Sequence, residues 1–204
     1  MSDALVYVVD DEPSLRDSVA MLLRSIGLSS KTFASAEEFL AGFSPGVPGC
    51  LVVDVRMPGM SGLELQEHLS VKRVSLPVII MTGHGDIAMA VRAMKAGASD
   101  FLEKPFNDQL FVESVQRALR QPAGKAISDA DAEAIRASIA ELTVREHEVM
   151  QLLVEGRANK VIAAKLGVSI RTVETHRAKV MEKTAARSLA ELVRMAIACG
   201  MMQG

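Results

Sequence analysis

The sequence predicts a two-part chain. Residues 1–120 should form an α/β domain, a doubly wound, five-stranded parallel sheet, and residues 121–140 a helical linker. Residues 141–204 should form a small all-α domain of four helices. Three observations predict this. Short apolar runs alternate strictly with stretches of helical periodicity up to about residue 120, the pattern of a parallel sheet with helices on both faces. After residue 140 no apolar run of strand character remains, and helical segments alternate with short turns. The formal charge also changes along the chain, from −4 over residues 1–120 to −1 over 121–140 and +3 over 141–204.

Leu5–Val9 is the first strand, ended by Asp10-Asp11-Glu12. Pro13 suits the first turn of a helix, where its missing N–H orphans nothing. Leu15, Val19, Leu22, Leu23 and Ile26 continue at helical spacing, and Gly27 closes the helix. Leu28–Phe33 is the second strand, and Ser35 caps a short helix with Phe39 and Leu40. The run from Ser44 to Gly49, with Pro45 and Pro48, is a loop. Cys50–Val53 is the third strand, followed by a helix from about Ser61. Pro77–Met81 is the fourth strand. Asp86 caps the next helix, with Ile87, Val91 and Met94 on one face and Gly97 at its end. Ser99–Leu102 is the fifth strand, and Asn107 or Asp108 opens a helix running to about Arg120. Gln121-Pro122-Ala123-Gly124 breaks it. Ser128 or Asp129 then caps a linker helix through Leu142, with Ala132, Ile135, Ile139 and Leu142 as its apolar stripe.

In the all-α part, Thr143 and Glu146 have the spacing of a capping box, and Val149, Leu152 and Leu153 supply a core face before Gly156. Asn159 opens a helix with Val161, Ile162, Ala163 and Leu166. Gly167-Val168-Ser169 is a tight turn, and Thr172–Lys183 the following helix. Ser188 starts the last, with Leu189, Leu192, Val193 and Ile197. Two short helices joined by a turn containing Gly fit a helix-turn-helix, whose second helix enters the DNA major groove. The basic balance of this part permits such a partner.

Several classes are excluded. No run of about 18 apolar residues is present to span a membrane. The N-terminus lacks the basic flank and apolar segment of a signal peptide, so a cytoplasmic location is expected. Cys50 and Cys199 match no metal spacing and read as reduced, buried thiols. No Gly-x-x-x-x-Gly-Lys-Ser/Thr loop, Gly-x-Gly-x-x-Gly after the first strand or Gly-x-Ser-x-Gly elbow is present, so a turnover enzyme is not expected.

In doubly wound sheets, function collects at the C-terminal ends of the strands. Asp10 and Asp11 follow the first strand, Asp54 ends the third, Thr82 follows the fourth and Lys104 the fifth. Three carboxylates on one rim repel and need a counter-ion. Mg²⁺, or Mn²⁺ in its place, prefers oxygen ligands and accepts phosphate oxygens. A carboxylate beside such an ion can attack a phosphoryl group. Positioning and charge neutralisation then do most of the catalytic work. Asp54 is the candidate acceptor. Lys104 would pair with phosphoryl oxygens, and Thr82 would hydrogen-bond to them.

Together, Asp10-Asp11, Asp54-Val55-Arg56-Met57-Pro58-Gly59-Met60-Ser61-Gly62, Thr82-Gly83, Ala93-Met94-Lys95-Ala96-Gly97-Ala98 and Lys104-Pro105-Phe106 resemble the receiver domain of two-component response regulators. Leu142-Thr143-x-Arg145-Glu146, Gly156-x-x-Asn159-Lys160-x-Ile162-Ala163 and Val168-Ser169-x-x-Thr172-Val173-x-x-His176 resemble LuxR-type DNA-binding domains. The combination resembles the NarL/FixJ subfamily, and its FixJ-like branch in particular. The resemblance implies a flavodoxin-like receiver in which Asp54 takes phosphate from a sensor histidine kinase. Asp10, Asp11, Asp54 and the backbone carbonyl of Arg56 would hold Mg²⁺, and Thr82 and Phe101 would form the switch pair. The Lys104–Pro105 peptide is often cis in this family.

By the same resemblance, Glu174, Thr175 and Ala178 face the groove, and Arg171, Thr172, His176, Arg177, Lys179 and Lys183 supply further DNA contacts. Phosphorylation would build a homodimer through a surface including Val91, Arg92 and Lys95. The dimer would bind promoter DNA and act on transcription, with RNA polymerase as the further partner, activation as the expected sign and oxygen or nitrogen-fixation control as an open link. The alternative is a phosphate sink or protein-interaction adaptor that binds no specific DNA. One position departs from the subfamily: Thr184 stands where a large apolar residue is usual, which puts the packing of the last helix in question.

Overall fold

The computed structural model describes residues 4–83, 87–120 and 129–201. The elements are β1 (Leu5–Val9), α1 (Pro13–Ser25), β2 (Ser29–Phe33), α2 (Ala36–Gly42), β3 (Gly49–Asp54), α3 (Gly62–Val71), β4 (Val78–Thr82), α4 (Ile87–Lys95), β5 (Asp100–Glu103), α5 (Asp108–Arg120), α6 (Asp129–Ala140), α7 (Val144–Val154), α8 (Asn159–Leu166), α9 (Ile170–Thr184) and α10 (Leu189–Ala198). The described residues form two compact units: residues 4–83 with 96–120, and residues 87–95 with 129–201.

The first unit holds a five-stranded parallel sheet in the order β2-β1-β3-β4-β5. The chain reverses direction across the sheet between β1 and β3, so the crevice at the strand ends opens beside Asp10 and Asp54. One face is covered by α1 and α5: Val19, Leu23, Phe111, Val115 and Ala118 pack with Val6, Val8, Cys50, Val52, Ile79 and Met81. Burying each large side chain of this set contributes about 1.5–3 kcal/mol. Elsewhere in the sheet, Tyr7 and Phe33 form an aromatic cluster with Phe39 and Phe43; the Tyr7 and Phe39 ring centres are 5.6 Å apart.

Caps stand where the sequence placed them. The Ser35 hydroxyl accepts from Glu38 N–H at 3.1 Å. Ser61 with Glu64 and Thr143 with Glu146 both close capping boxes. The expected Asp86 cap, the Gln121–Gly124 break and the Ser128 cap lie outside the described residues.

In the second unit, α6 is not a free tether. Its stripe is covered, with Ala132 and Ile139 buried, and it packs on α9 and α10. It ends at Ala140 rather than Leu142, because Thr143 already caps α7. Helix α4 also belongs to this unit, although the sequence placed it in the first domain. Its buried face is Ala90, Val91, Ala93 and Met94. Thr184 is buried with its polar atom satisfied, the hydroxyl donating to the Val180 carbonyl at 2.7 Å. Cys50 is buried, and burial pushes its thiol up to about 12. Cys199 is only half-buried, contrary to expectation. Among the described residues, no helix is long and apolar enough to cross a membrane.

Candidate functional site

Strand register builds the first site. Val9 lies opposite Val53, so Asp10 and Asp54 emerge side by side from β1 and β3. Asp54 lies opposite Met81 and Thr82 opposite Glu103, which brings Thr82 and Lys104 to the same rim. Lys104 Nζ sits between the carboxylates, 2.6 Å from Asp10 Oδ2 and 2.7 Å from Asp54 Oδ1. The remaining oxygens accept backbone N–H groups: Asp54 Oδ2 from Arg56 at 2.8 Å, and Asp10 Oδ1 from Glu12 at 2.9 Å. The Lys104–Pro105 peptide is cis.

Both carboxylates are desolvated, Asp10 fully and Asp54 to 5% exposure. Burial pushes the Asp54 carboxyl above its usual range. Lys104 offsets this only in part, and the neighbouring Asp10 charge pushes it further up. Burial also pulls the Lys104 ammonium down, but its bonds to Asp10 and Asp54 outweigh that and hold it above the usual lysine value. The ammonium is thus fully charged at neutral pH and is the counter-ion for two buried acids.

Asp11 is exposed beside this pair, and among the described residues no three acidic, imidazole or thiol groups converge in a metal-holding cluster. The expected set of Asp10, Asp11 and Asp54 is therefore not drawn together; Lys104 stands in the space between two of them. The donor chemistry nevertheless fits a hard divalent cation. Three carboxylates and a backbone carbonyl offer only oxygen, and one ammonium leaves the acids under-neutralised.

Thr82 is fully buried at the end of β4, and Phe101 is 9% exposed on β5. Three residues that the sequence reading missed support this rim. Arg16 of α1 donates to the Asp10 carbonyl. Glu37 of α2 accepts from Met60 N–H at 3.0 Å, tying down the loop after Asp54. Its carboxyl is held below the usual range by backbone N–H groups of Glu37 and Met60 and by Ser35. Asp100 is buried and accepts from Ser114 and Arg117 of α5, while its other oxygen accepts from Phe101 N–H at 3.0 Å. An acid two residues after a capping Ser was a visible signal for Glu37. Nothing local in the sequence marks Asp100.

The second site is α8, a turn and α9. Gly167 takes the left-handed conformation at φ +67°, and Ser169 caps α9 by accepting from Thr172 N–H at 3.1 Å. Arg171, Glu174, Thr175, Ala178 and Lys179 are exposed on α9, whereas Thr172, His176 and Arg177 are half-buried. The Thr175 hydroxyl donates to the Arg171 carbonyl, and His176 Nδ1 is buried without a hydrogen-bond partner among the described residues. Glu174 orients no arginine through an ion pair among the described residues. Lys160, Lys165, Arg171, Arg177 and Lys179 carry no ion pair with a described residue, whereas Lys183 is paired with Glu146. Lys183 is thus held within the domain by an ion pair. On α4, Val91 is 4% exposed and unavailable as a surface residue, because it shares the covered face with Ala90 and Met94. Arg92 and Lys95 are exposed.

Residues 6–116 match the response regulator receiver domain family, and residues 140–196 match the bacterial regulatory proteins of the luxR family. The chain is 49% identical over 201 residues to the transcriptional regulatory protein FixJ of Rhizobium meliloti, covering 98% of each chain. It is 46% identical over 192 residues to the C4-dicarboxylate transport transcriptional regulatory protein DctR of Rhodobacter capsulatus, covering 93% of this chain and 98% of the relative. The crystal structure of full-length FixJ from B. japonicum aligns with a TM-score of 0.55 at 45% identity, covering 99% of this chain and all of the other.

Proposed function

The chain belongs to the FixJ-like two-component response regulators, with a receiver domain and a LuxR-type DNA-binding domain, and we propose that Asp54 is the phosphoacceptor that controls its promoter binding. The observation that carries this is the buried Asp10–Lys104–Asp54 cluster at the crevice of the sheet. An Asp54 oxygen attacks phosphorus as the P–N bond of a kinase phosphohistidine breaks, and the electron pair leaves with the imidazole. Lys104 follows the charge onto the phosphoryl oxygens, which explains an ammonium placed within reach of both acids. Asp10, Asp11, Asp54 and the Arg56 carbonyl would hold Mg²⁺ or Mn²⁺, whose charge supplies neutralisation at the phosphoryl oxygens when bound. The cation and Lys104 act on the same negative charge, so phosphorylation and metal binding are coupled.

Thr82 and Phe101 are the switch pair: the hydroxyl bonds the new phosphoryl group, and the ring settles inward. Phosphorylation favours a homodimer whose surface includes Arg92 and Lys95. Moving such an equilibrium from mostly off to mostly on takes about 5.5 kcal/mol of differential stabilisation. The dimer reads two half-sites about one helical turn apart, with α9 in the major groove. Phosphate contacts from Arg171, Arg177 and Lys179 set register, and Glu174, Thr175 and Ala178 meet base edges. The protein acts in the cytoplasm on transcription by RNA polymerase and turns over no small substrate. The transcriptional regulatory protein FixJ and the C4-dicarboxylate transport regulatory protein DctR match this chain over nearly its whole length, and oxygen-linked control of nitrogen fixation is the signal to test first.

Sedimentation of the parent and of Asp54→Asn, each with Mg²⁺ and with or without an acyl-phosphate donor, tests the proposal. Only the phosphorylated parent should dimerise. A parent that incorporates phosphate at Asp54 yet stays monomeric while bound to promoter DNA would show that the dimer step is wrong. No incorporation at Asp54 would remove the acceptor assignment.

A further inference from the structure

Lys183 differs from the other basic residues of α9. Its Nζ lies 2.6 Å from Glu146 Oε2 and 3.2 Å from the Glu141 carbonyl oxygen. Glu146 is the third residue of α7 and is 3% exposed; the same Oε2 accepts Thr143 N–H at 2.8 Å. One ammonium therefore joins the turn after α6, the capped start of α7 and the last turn of α9. Helix geometry explains the reach. At 3.6 residues per turn, Thr172, His176 and Lys183 fall within about 40° of one another on one flank of α9. All three are half-buried, whereas Arg171, Glu174, Thr175, Ala178 and Lys179 spread over the face opposite the buried Val173, Val180 and Thr184 and are exposed. The bond from Lys183, and then that from Thr143, hold the Glu146 carboxyl down to about 2, so the carboxylate stays charged throughout the neutral range.

We infer that Lys183 is a positioning residue and not a DNA ligand: paired with Glu146, it fixes the rotation of α9 about its axis and so decides which α9 side chains meet the groove. Two of the three ammonium donors are already spent on Glu146 and the Glu141 carbonyl, and drawing the ammonium away to a DNA phosphate would leave a buried carboxylate without its cation, which is unfavourable. Lys183 then acts on sequence preference through the placement of the base-facing side chains Glu174, Thr175 and Ala178, while the phosphate contacts of the helix persist. The inference rests on the DNA-binding reading of the domain.

The test uses the full chain, phosphorylated with an acyl-phosphate donor and Mg²⁺. Its probes are a duplex that the parent selects from randomised DNA and a scrambled duplex of the same length. Losing one phosphate contact lowers the slope of log affinity against log salt by about 0.9 per bound copy. Lys179→Met should show that drop. Lys183→Met should leave the slope unchanged, yet bind the selected duplex about tenfold or more weakly, the scale of one lost base contact. Its affinity for the scrambled duplex should stay the same. Glu146→Gln keeps the acceptor of the capping box and should reproduce the Lys183→Met pattern. The double variant should be no worse than either single one, as coupled residues require. Without DNA, the Glu146 carboxyl followed by NMR should titrate at about 2 in the parent and move up in Lys183→Met. A slope loss in Lys183→Met equal to that of Lys179→Met overturns the inference, as does unchanged binding of the selected duplex. A parent that selects no duplex overturns the DNA-binding reading with it, whereas slope loss with a binding parent overturns this inference alone.

Discussion

Gly62 is the position where one methyl group should damage both stability and phosphorylation. It is the first residue of α3, and its N–H donates to the Val55 carbonyl at 3.1 Å, so the helix starts hard against the end of β3. A Cβ at this position would lie 2.3 Å from the Asp54 carbonyl oxygen, 3.0 Å from the Asp54 carbonyl carbon and 3.1 Å from Val53 Cγ2. Ordinary contact begins at 3.4 Å, so the Asp54 backbone or the helix start must move by about 1 Å. The obstacle is backbone, which cannot swing away as a side chain would. Overpacking of this kind costs about 1–3 kcal/mol, and a gain in helix propensity of up to about 1 kcal/mol from Ala offsets part of it. The larger effect is chemical: displacing a reacting group by 1 Å costs on the order of 100-fold in rate.

Two measurements check this. The chain has one tyrosine, Tyr7, and no tryptophan. Tyr7 lies in β1, so its emission reports unfolding of the first unit without interference from the second. Urea titration should show Gly62→Ala destabilised by about 1–3 kcal/mol. Phosphate incorporation from an acyl-phosphate donor should slow by about 10- to 100-fold. Gly83→Ala serves as the stability control: its Cβ would meet nothing within 4 Å, so it should shift stability by less than about 0.5 kcal/mol. A Gly62→Ala chain with the parental urea midpoint and the parental incorporation rate would refute the reasoning. Loss of stability with an unchanged rate would refute the link between this close approach and the placement of Asp54.

Three further outcomes are expected. Asp54→Asn should stabilise the first unit at pH 7 by on the order of 1 kcal/mol, because a carboxyl whose pKa is raised on folding opposes folding while charged. The advantage over the parent should shrink as pH falls and Asp54 takes up its proton; urea titration across pH 4–8 reads it. Lys104→Met should cost about 2–3 kcal/mol at neutral pH, since it leaves two buried acids facing each other without a cation. The parent's benefit from this ammonium, whose folded pKa is raised, persists below the ordinary lysine value and is lost only as pH rises past it. Glu146 has a lowered folded pKa, so its contribution is complete above the ordinary carboxylate range and is lost as pH falls toward about 2. Acid titration of helix content should therefore show a transition that Glu146→Gln moves to higher pH, and an identical acid transition in both would refute the pair's role in stability.

How far the sequence carried the reading depended on whether a signal was local. The strand ends were legible because apolar runs stop at Asp10, Asp54, Thr82 and Lys104, and parallel register then aligns those stops. Even so, β3 runs one residue further than the apolar run, because Asp54 itself pairs opposite Met81. The Ser35, Ser61, Thr143 and Ser188 caps were legible because a hydroxyl and its target N–H lie three residues apart. What covers a helix was not legible. The stripes of α4 and α6 are plain in the periodicity, but a stripe does not name its partner, and Val91 was read as surface for that reason. Asp100 escaped because its partners, Ser114 and Arg117, lie 14 and 17 residues away.

Lys183 shows the boundary between the two kinds of information. Its charge and its place on the second helix of a helix-turn-helix both argued for a phosphate contact, and composition cannot separate that use from an internal one. The helical wheel could have raised the doubt. Lys183 lies two turns after His176 and on the same flank, away from the face carrying Arg171, Glu174 and Thr175. Only the fold, however, places a buried carboxylate 37 residues away against that flank. A basic residue on a recognition helix is therefore a candidate for DNA contact only once the acids of the neighbouring helices have been assigned their own partners. Here Glu146 has no other cation within reach among the described residues.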